Sequence, residues 1–104
     1  MNEGIQKQVA DFVEINRLET DVAHRTLDLV SELGEVSKEI LISTVYGRKP
    51  FQPTNEWQSE LGDLLFALVC VANSTGVDLE QALLEVLKKY QRRLKSKQDA
   101  GSGK

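Results

Sequence analysis

Glu32 and Glu35 in SELGEV at 31–36, and Glu60 and Asp63 in SELGDL at 59–64, are the residues whose types and spacing suit chemistry. Carboxylates three positions apart share one side of a helix, so each hexapeptide presents an acidic pair. Four carboxylates brought together from two helices make an all-oxygen site without His or Cys. That donor set suits a hard cation such as Mg²⁺ or Mn²⁺ rather than zinc, and such a site also accepts a metal–phosphate ligand.

The pairs must be carried on helices. Asp28, Glu32, Glu35 and Glu39 fall within an arc of about 60° at about 100° per residue, and Leu29, Leu33, Val36 and Ile40 lie beside that stripe. Glu56, Glu60 and Asp63 form a second stripe, on a segment whose other directions are covered by Trp57, Leu61, Leu64, Leu65, Phe66, Leu68, Val69, Val71 and Ala72. A helix apolar almost all round is buried, and its carboxylates need a compensating positive charge. Gly34 and Gly62 each lie inside one of these acidic pairs, where a helical glycine costs about 1 kcal/mol against alanine. Close helix approach is the expected compensation. A single ExxE or ExxD is usually a solvated helix face; two of them, on a helix built for burial and with matching glycines, point to a site.

Helical spacing recurs at Ile5, Val9, Phe12 and Val13, and again from about Thr20 to Ile40, so two helices precede the loop GRKPFQPTN at 47–55. Thr54 or Asn55 is expected to cap a third helix running to about Ser74, followed by an STG turn. Asp78 with Gln81 forms a capping-box pattern that opens a fourth helix through Ala82, Leu83, Val86, Leu87, Tyr90 and Leu94. No run alternates at period two long enough for a sheet, so the expected fold is all-α and four-helix-bundle-like. A single domain over 1–95 with a polar tail at 96–104 follows. Uniform apolarity from Leu64 to Ala72 predicts that subunit contacts complete the burial.

The spacing ExxE, then 24 residues, then ExxD, with ELGE, ELGDLLFALVCVAN, VDLEQAL and the K-x-x-x-R of Lys89 and Arg93, resembles the MazG-type nucleoside triphosphate pyrophosphohydrolases. The resemblance spans about 29–93. It implies an all-α fold that forms dimers or dimers of dimers, and Mg-dependent hydrolysis of an NTP or dNTP to the monophosphate and pyrophosphate. It implies Glu32, Glu35, Glu60 and Asp63 as Mg²⁺ ligands, with Lys89 and Arg93 facing the phosphates. Bound divalent ions neutralise phosphate oxygens and lower the pKa of a bound water. Glu32 or Glu35 is expected to assist that water, ligand and base roles being inseparable by spacing. Phosphoribosyl-ATP pyrophosphohydrolase is the alternative within the superfamily, and a noncatalytic helical metal or nucleotide-binding module the alternative outside it.

Trp57, one turn before Glu60, is a candidate for base stacking and equally for core packing. Asn73 ends the apolar helix and is a candidate ligand contact beside a plain role in the turn. Arg92 also lies within one turn of Lys89, while Lys95 and Lys97 suit the negative end of a helix dipole. His24 reads as a surface side chain. The chain has 104 residues and a net charge of -3, and its basic cluster carries no known nucleic-acid-reading motif, which speaks against nucleic acid as a partner. The lone Cys70 in an apolar run, the absence of a signal-like N-terminus and of a membrane-length apolar run predict a cytoplasmic protein without a membrane partner. AGSGK at 100–104 lacks the remaining residues of a phosphate-binding loop.

Overall fold

In the computed structural model, which describes residues 4–97, the chain forms α1 (Ile5–Ile15), α2 (Val22–Ser43), α3 (Trp57–Ser74) and α4 (Leu79–Lys97), with no strand among the described residues. Local chemistry sets the boundaries. Asp21 Oδ1 accepts the His24 amide at 2.8 Å and so caps α2. Thr44 closes it: its hydroxyl donates to the Ile40 carbonyl at 2.7 Å and accepts the Gly47 amide at 3.0 Å. This buried threonine holds a turn in which Val45, Tyr46 and Gly47 have φ of 51°, 56° and 87°. A β-branched residue resists that region, so the turn rests on its hydrogen bonds rather than on local preference.

The third helix starts later than the sequence suggests. Its cap is Glu56, not Thr54 or Asn55, and no side chain bonds into the first turn from that position. Thr54 instead accepts the Glu56 amide at 3.1 Å, making a turn before the helix. At α4 the capping box is half formed. Asp78 Oδ1 accepts the Gln81 amide at 3.1 Å, but the Gln81 side chain reaches forward to Glu85 at 3.2 Å, leaving the return bond unmade. The helix runs on to Lys97, two residues into the expected tail; the remainder of that tail, with AGSGK, lies outside the described residues.

α2 packs along α3, and α1 packs on α3 as well. The buried apolar residues are Val36 from α2 and Ala67, Val69, Cys70 and Ala72 from α3. Phe12 meets Phe66 edge-on at 6.1 Å, joining α1 to that core. Gln6 adds a polar tie: its Nε2 donates to Asn73 Oδ1 at 2.9 Å and to the Val77 carbonyl at 2.8 Å, and its Oε1 accepts the Leu79 amide at 2.6 Å.

α4 leaves α3 at about 100° and packs little on the other helices. Leu65 and Leu68 of α3 and Leu83, Leu84 and Leu87 of α4 are therefore 39–57% exposed. Only part of α3 is buried within one chain, because the fourth helix that would cover it turns away. Close approach at the glycines is not found either. A Cβ built on Gly34 or Gly62 meets nothing within 4 Å, so neither glycine marks a tight helix contact in this chain. Among the described residues no single helix is long and apolar enough to cross a membrane.

Candidate metal centre

The acidic stripes of α2 and α3 face each other. One carboxylate oxygen from each of Glu32, Glu60 and Asp63 lies within 4.8 Å of the other two; Glu32 and Glu60 are half-buried and Asp63 is exposed. Glu35, exposed on α2, stands outside this triangle yet close enough to act on Glu60 electrostatically, as does Glu39. Partial burial pushes the Glu60 carboxyl above the ordinary carboxylate value, and the charges of Glu35, Asp63, Glu32 and Glu39 push it further.

Like charges this close repel unless something positive lies among them. Among the described residues no Lys or Arg makes an ion pair with any of these carboxylates; the ion pairs present are Lys7–Asp11 and Asp21–His24, both elsewhere. Three carboxylates with no nitrogen or sulfur donor fit a hard divalent cation. Glu39 is held at the edge of the cluster, its Oε2 accepting from the Thr54 hydroxyl at 2.7 Å. That bond ties the loop after α2 to the acidic stripe.

The remaining expected residues are dispersed. Lys89 and Arg93 flank the Tyr90 ring on α4, at 5.6 Å and 5.8 Å from its centroid, and neither pairs with a carboxylate of the cluster. Trp57 is half-buried, its ring meeting Phe51 at 4.9 Å and 63°. Asn73 is tied to Gln6 at both ends of its amide, Oδ1 accepting at 2.9 Å and Nδ2 donating to the Gln6 carbonyl at 3.1 Å. His24 is exposed and bonded to Asp21, away from the acidic cluster. Burial raises the Cys70 thiol above its ordinary value, against a smaller lowering by Arg25 and a raising by Asp28, so it stays protonated near neutral pH.

Three residues escaped the sequence reading. Phe51 is the aromatic between the two prolines of the loop, a position that alone signals exposure to something apolar. Thr54 has the residue type of a helix cap, whereas its bond to Glu39 depends on how the loop returns. Arg25, 9% exposed, precedes Glu32 by seven residues and therefore shares its helix face, a spacing legible in the sequence.

A family model described as the MazG nucleotide pyrophosphohydrolase domain matches residues 22–97. The uncharacterized protein YpjD of Bacillus subtilis (strain 168) is 42% identical over 72 residues, which are 66% of this chain and 63% of that protein. The match thus spans somewhat less than two thirds of this curated relative. Among solved structures, the Bacillus-conserved MazG protein, a nucleotide pyrophosphohydrolase, superposes with a TM-score of 0.69 at 28% identity, covering 86% of this chain and 93% of that one. YpjD of Bacillus subtilis, a proposed pyrophosphatase, gives a TM-score of 0.71 at 32% identity over 89% of this chain and 99% of that one.

Proposed function

The chain belongs to the MazG nucleotide pyrophosphohydrolase family, and we propose that it hydrolyses a nucleoside or deoxynucleoside triphosphate to the monophosphate and pyrophosphate, using Mg²⁺ or Mn²⁺. The observation that carries this reading is the triangle of Glu32, Glu60 and Asp63 oxygens within 4.8 Å, with no cationic side chain among the described residues paired to it. A divalent ion there supplies charge neutralisation at the phosphate oxygens and a more acidic bound water.

The protein's own groups do the rest. Glu32, Glu60 and Asp63 hold the ion, with Glu35 completing the set as a further ligand or as the base that takes the proton from the attacking water. Glu35 suits the second role because it stands outside the triangle but within electrostatic reach of Glu60. Lys89 and Arg93 bind phosphate oxygens by charge-assisted hydrogen bonds, four positions apart on one face of α4. Trp57, engaged edge-on by Phe51, shapes the loop side of the site, and Asn73 lines its far end.

Self-association accompanies this reading: the exposed leucines of α3 and α4 form an apolar surface that a second copy covers. A nucleotide substrate and a free buried thiol both accord with a cytoplasmic setting. The test is direct. Purified protein with Mg²⁺ and a panel of NTPs and dNTPs releases pyrophosphate and the monophosphate. Nucleotide binding without release of pyrophosphate from any of them marks a noncatalytic binding module instead.

A further inference from the structure

A second constellation, next to the acidic triangle but not part of it, lies between α1, the start of α2 and the end of α3. Arg25 is 9% exposed there, and its Nη2 donates to the Leu18 carbonyl. That is the guanidinium's one hydrogen bond among the described residues, and no carboxylate there is within ion-pair distance. A guanidinium carries five N–H donors; no buried side-chain nitrogen lacks a partner among the described residues, so the N–H groups that Leu18 does not take stay open to solvent and are available to a ligand. Arg25 lines a cavity of about 240 Å³, with Val9 and Val13 as apolar wall and Glu14, Glu19 and Asn73 among its polar lining. An apolar wall with a few converging polar groups is the usual make-up of a small-molecule site.

The cavity is in register with the triangle. Arg25 precedes Glu32 by seven residues on α2, and Cys70, also in the cavity lining, follows Asp63 by seven on α3. Seven residues are about two turns, returning within about 20° to the same face about 10 Å along the axis. Antiparallel packing of α2 on α3 therefore puts triangle and cavity on one seam, separated by roughly the reach of a nucleoside from its 5′-phosphate to its base edge. In the other direction along α3 lies Trp57, whose ring is taken up by Phe51.

Resting on the reading that the acidic cluster receives the substrate's phosphates, we propose that the Arg25 cavity receives the base and reads a lactam edge. Arg25 donates to the keto oxygen, and Glu14 or Glu19 accepts the adjoining ring N–H. Guanine, hypoxanthine, uracil and thymine carry that edge. Adenine offers no keto oxygen, leaving the guanidinium under-satisfied. Arg25 is thus the specificity-determining residue of this protein, acting on base choice rather than on phosphorus chemistry.

Two measurements test the assignment. The first compares kcat/KM for GTP, ITP, UTP and dTTP with that for ATP, in the parent and in Arg25→Gln and Arg25→Lys. At least a tenfold preference for the lactam bases is expected in the parent, largely lost in Arg25→Gln and partly kept in Arg25→Lys. Equal values across the parent's panel, or a preference that survives Arg25→Gln, overturn the proposal. The second needs neither turnover nor a variant that folds: the parent, with Mg²⁺, is titrated with GMP and with AMP while the Arg25 side-chain N–H resonances are followed by NMR. Shifts with GMP and none with AMP support the cavity as the base site; no shift with GMP overturns it. A parent that hydrolyses nothing but shows the GMP shift loses the pyrophosphohydrolase reading and keeps the base site.

Discussion

Glu32 on α2 and Asp63 on α3 hold carboxylate oxygens within 4.8 Å of each other, with an oxygen of Glu60 within the same distance of both. Two separate helices therefore contribute to one concentration of negative charge. Among the described residues nothing neutralises it by an ion pair, so a bound divalent cation would change both its chemistry and its contribution to stability.

Replacing one oxygen of the triangle by an amide removes a ligand charge while keeping the side chain's shape. Asp63→Asn and Glu60→Gln are expected to lower kcat/KM by about a hundredfold or more, and to weaken Mg²⁺ binding in calorimetry. The far-ultraviolet circular dichroism remains that of the parent. Turnover near the parent level in either variant removes these residues from the metal site.

Glu60 titrates above 4.5, its ordinary value, chiefly through burial and then through Glu35, Asp63, Glu32 and Glu39. Because its folded pKa exceeds its unfolded one, the folded state binds the extra proton between the two, and metal-free stability falls as pH rises through that window. Urea unfolding of the metal-free protein from pH 4 upward shows this decline, and Glu60→Gln flattens it. Mg²⁺ affinity runs the other way, rising with pH as the Glu60 proton leaves. A metal affinity constant across the window contradicts the assignment.

Gln6 joins α1 to the α3–α4 turn through Asn73, Val77 and Leu79. Gln6→Ala removes three bonds from a half-buried side chain and is expected to cost about 1–3 kcal/mol, read from urea unfolding. Amide exchange at Leu79 quickens in parallel, since that N–H loses its acceptor. Unchanged exchange there means that the turn holds without Gln6.

Leu65, Leu68, Leu83, Leu84 and Leu87 leave an apolar surface uncovered on α3 and α4. The protein is expected to be at least a dimer at micromolar concentration by light scattering, and Leu87→Asp shifts it towards monomer. A stable monomer in the parent refutes self-association. Gly62→Ala refines the question: its Cβ enters open space in one chain, so it stabilises by about 1 kcal/mol unless a second copy packs there.

Much of this molecule was legible in the residue pattern. Periodicity defined four helices, because burial at 3.6-residue spacing leaves a trace in every window. Paired carboxylates at three-residue spacing, on helices with apolar flanks, mark the two acidic stripes from which Glu32, Glu60 and Asp63 converge. Asp78 accepts the Gln81 amide as its capping pattern suggests, and such local bonds are encoded locally.

Other features depended on relations between segments. Which oxygens meet, Glu32 with Glu60 and Asp63 while Glu35 stands aside, depends on the rotation and offset of α2 against α3. Gly34 and Gly62 looked like contact points, but open space faces them because no helix of the same chain passes there. The 100° departure of α4, which leaves five leucines uncovered, follows from the turn at Gly76 and its tie to Gln6. Sequence by itself determined which elements form and which side chains share a helix face, since both follow from neighbours within a few residues. Tertiary structure alone decided which faces meet, and that is where Arg25 and its cavity came to lie on the same seam as the acidic triangle.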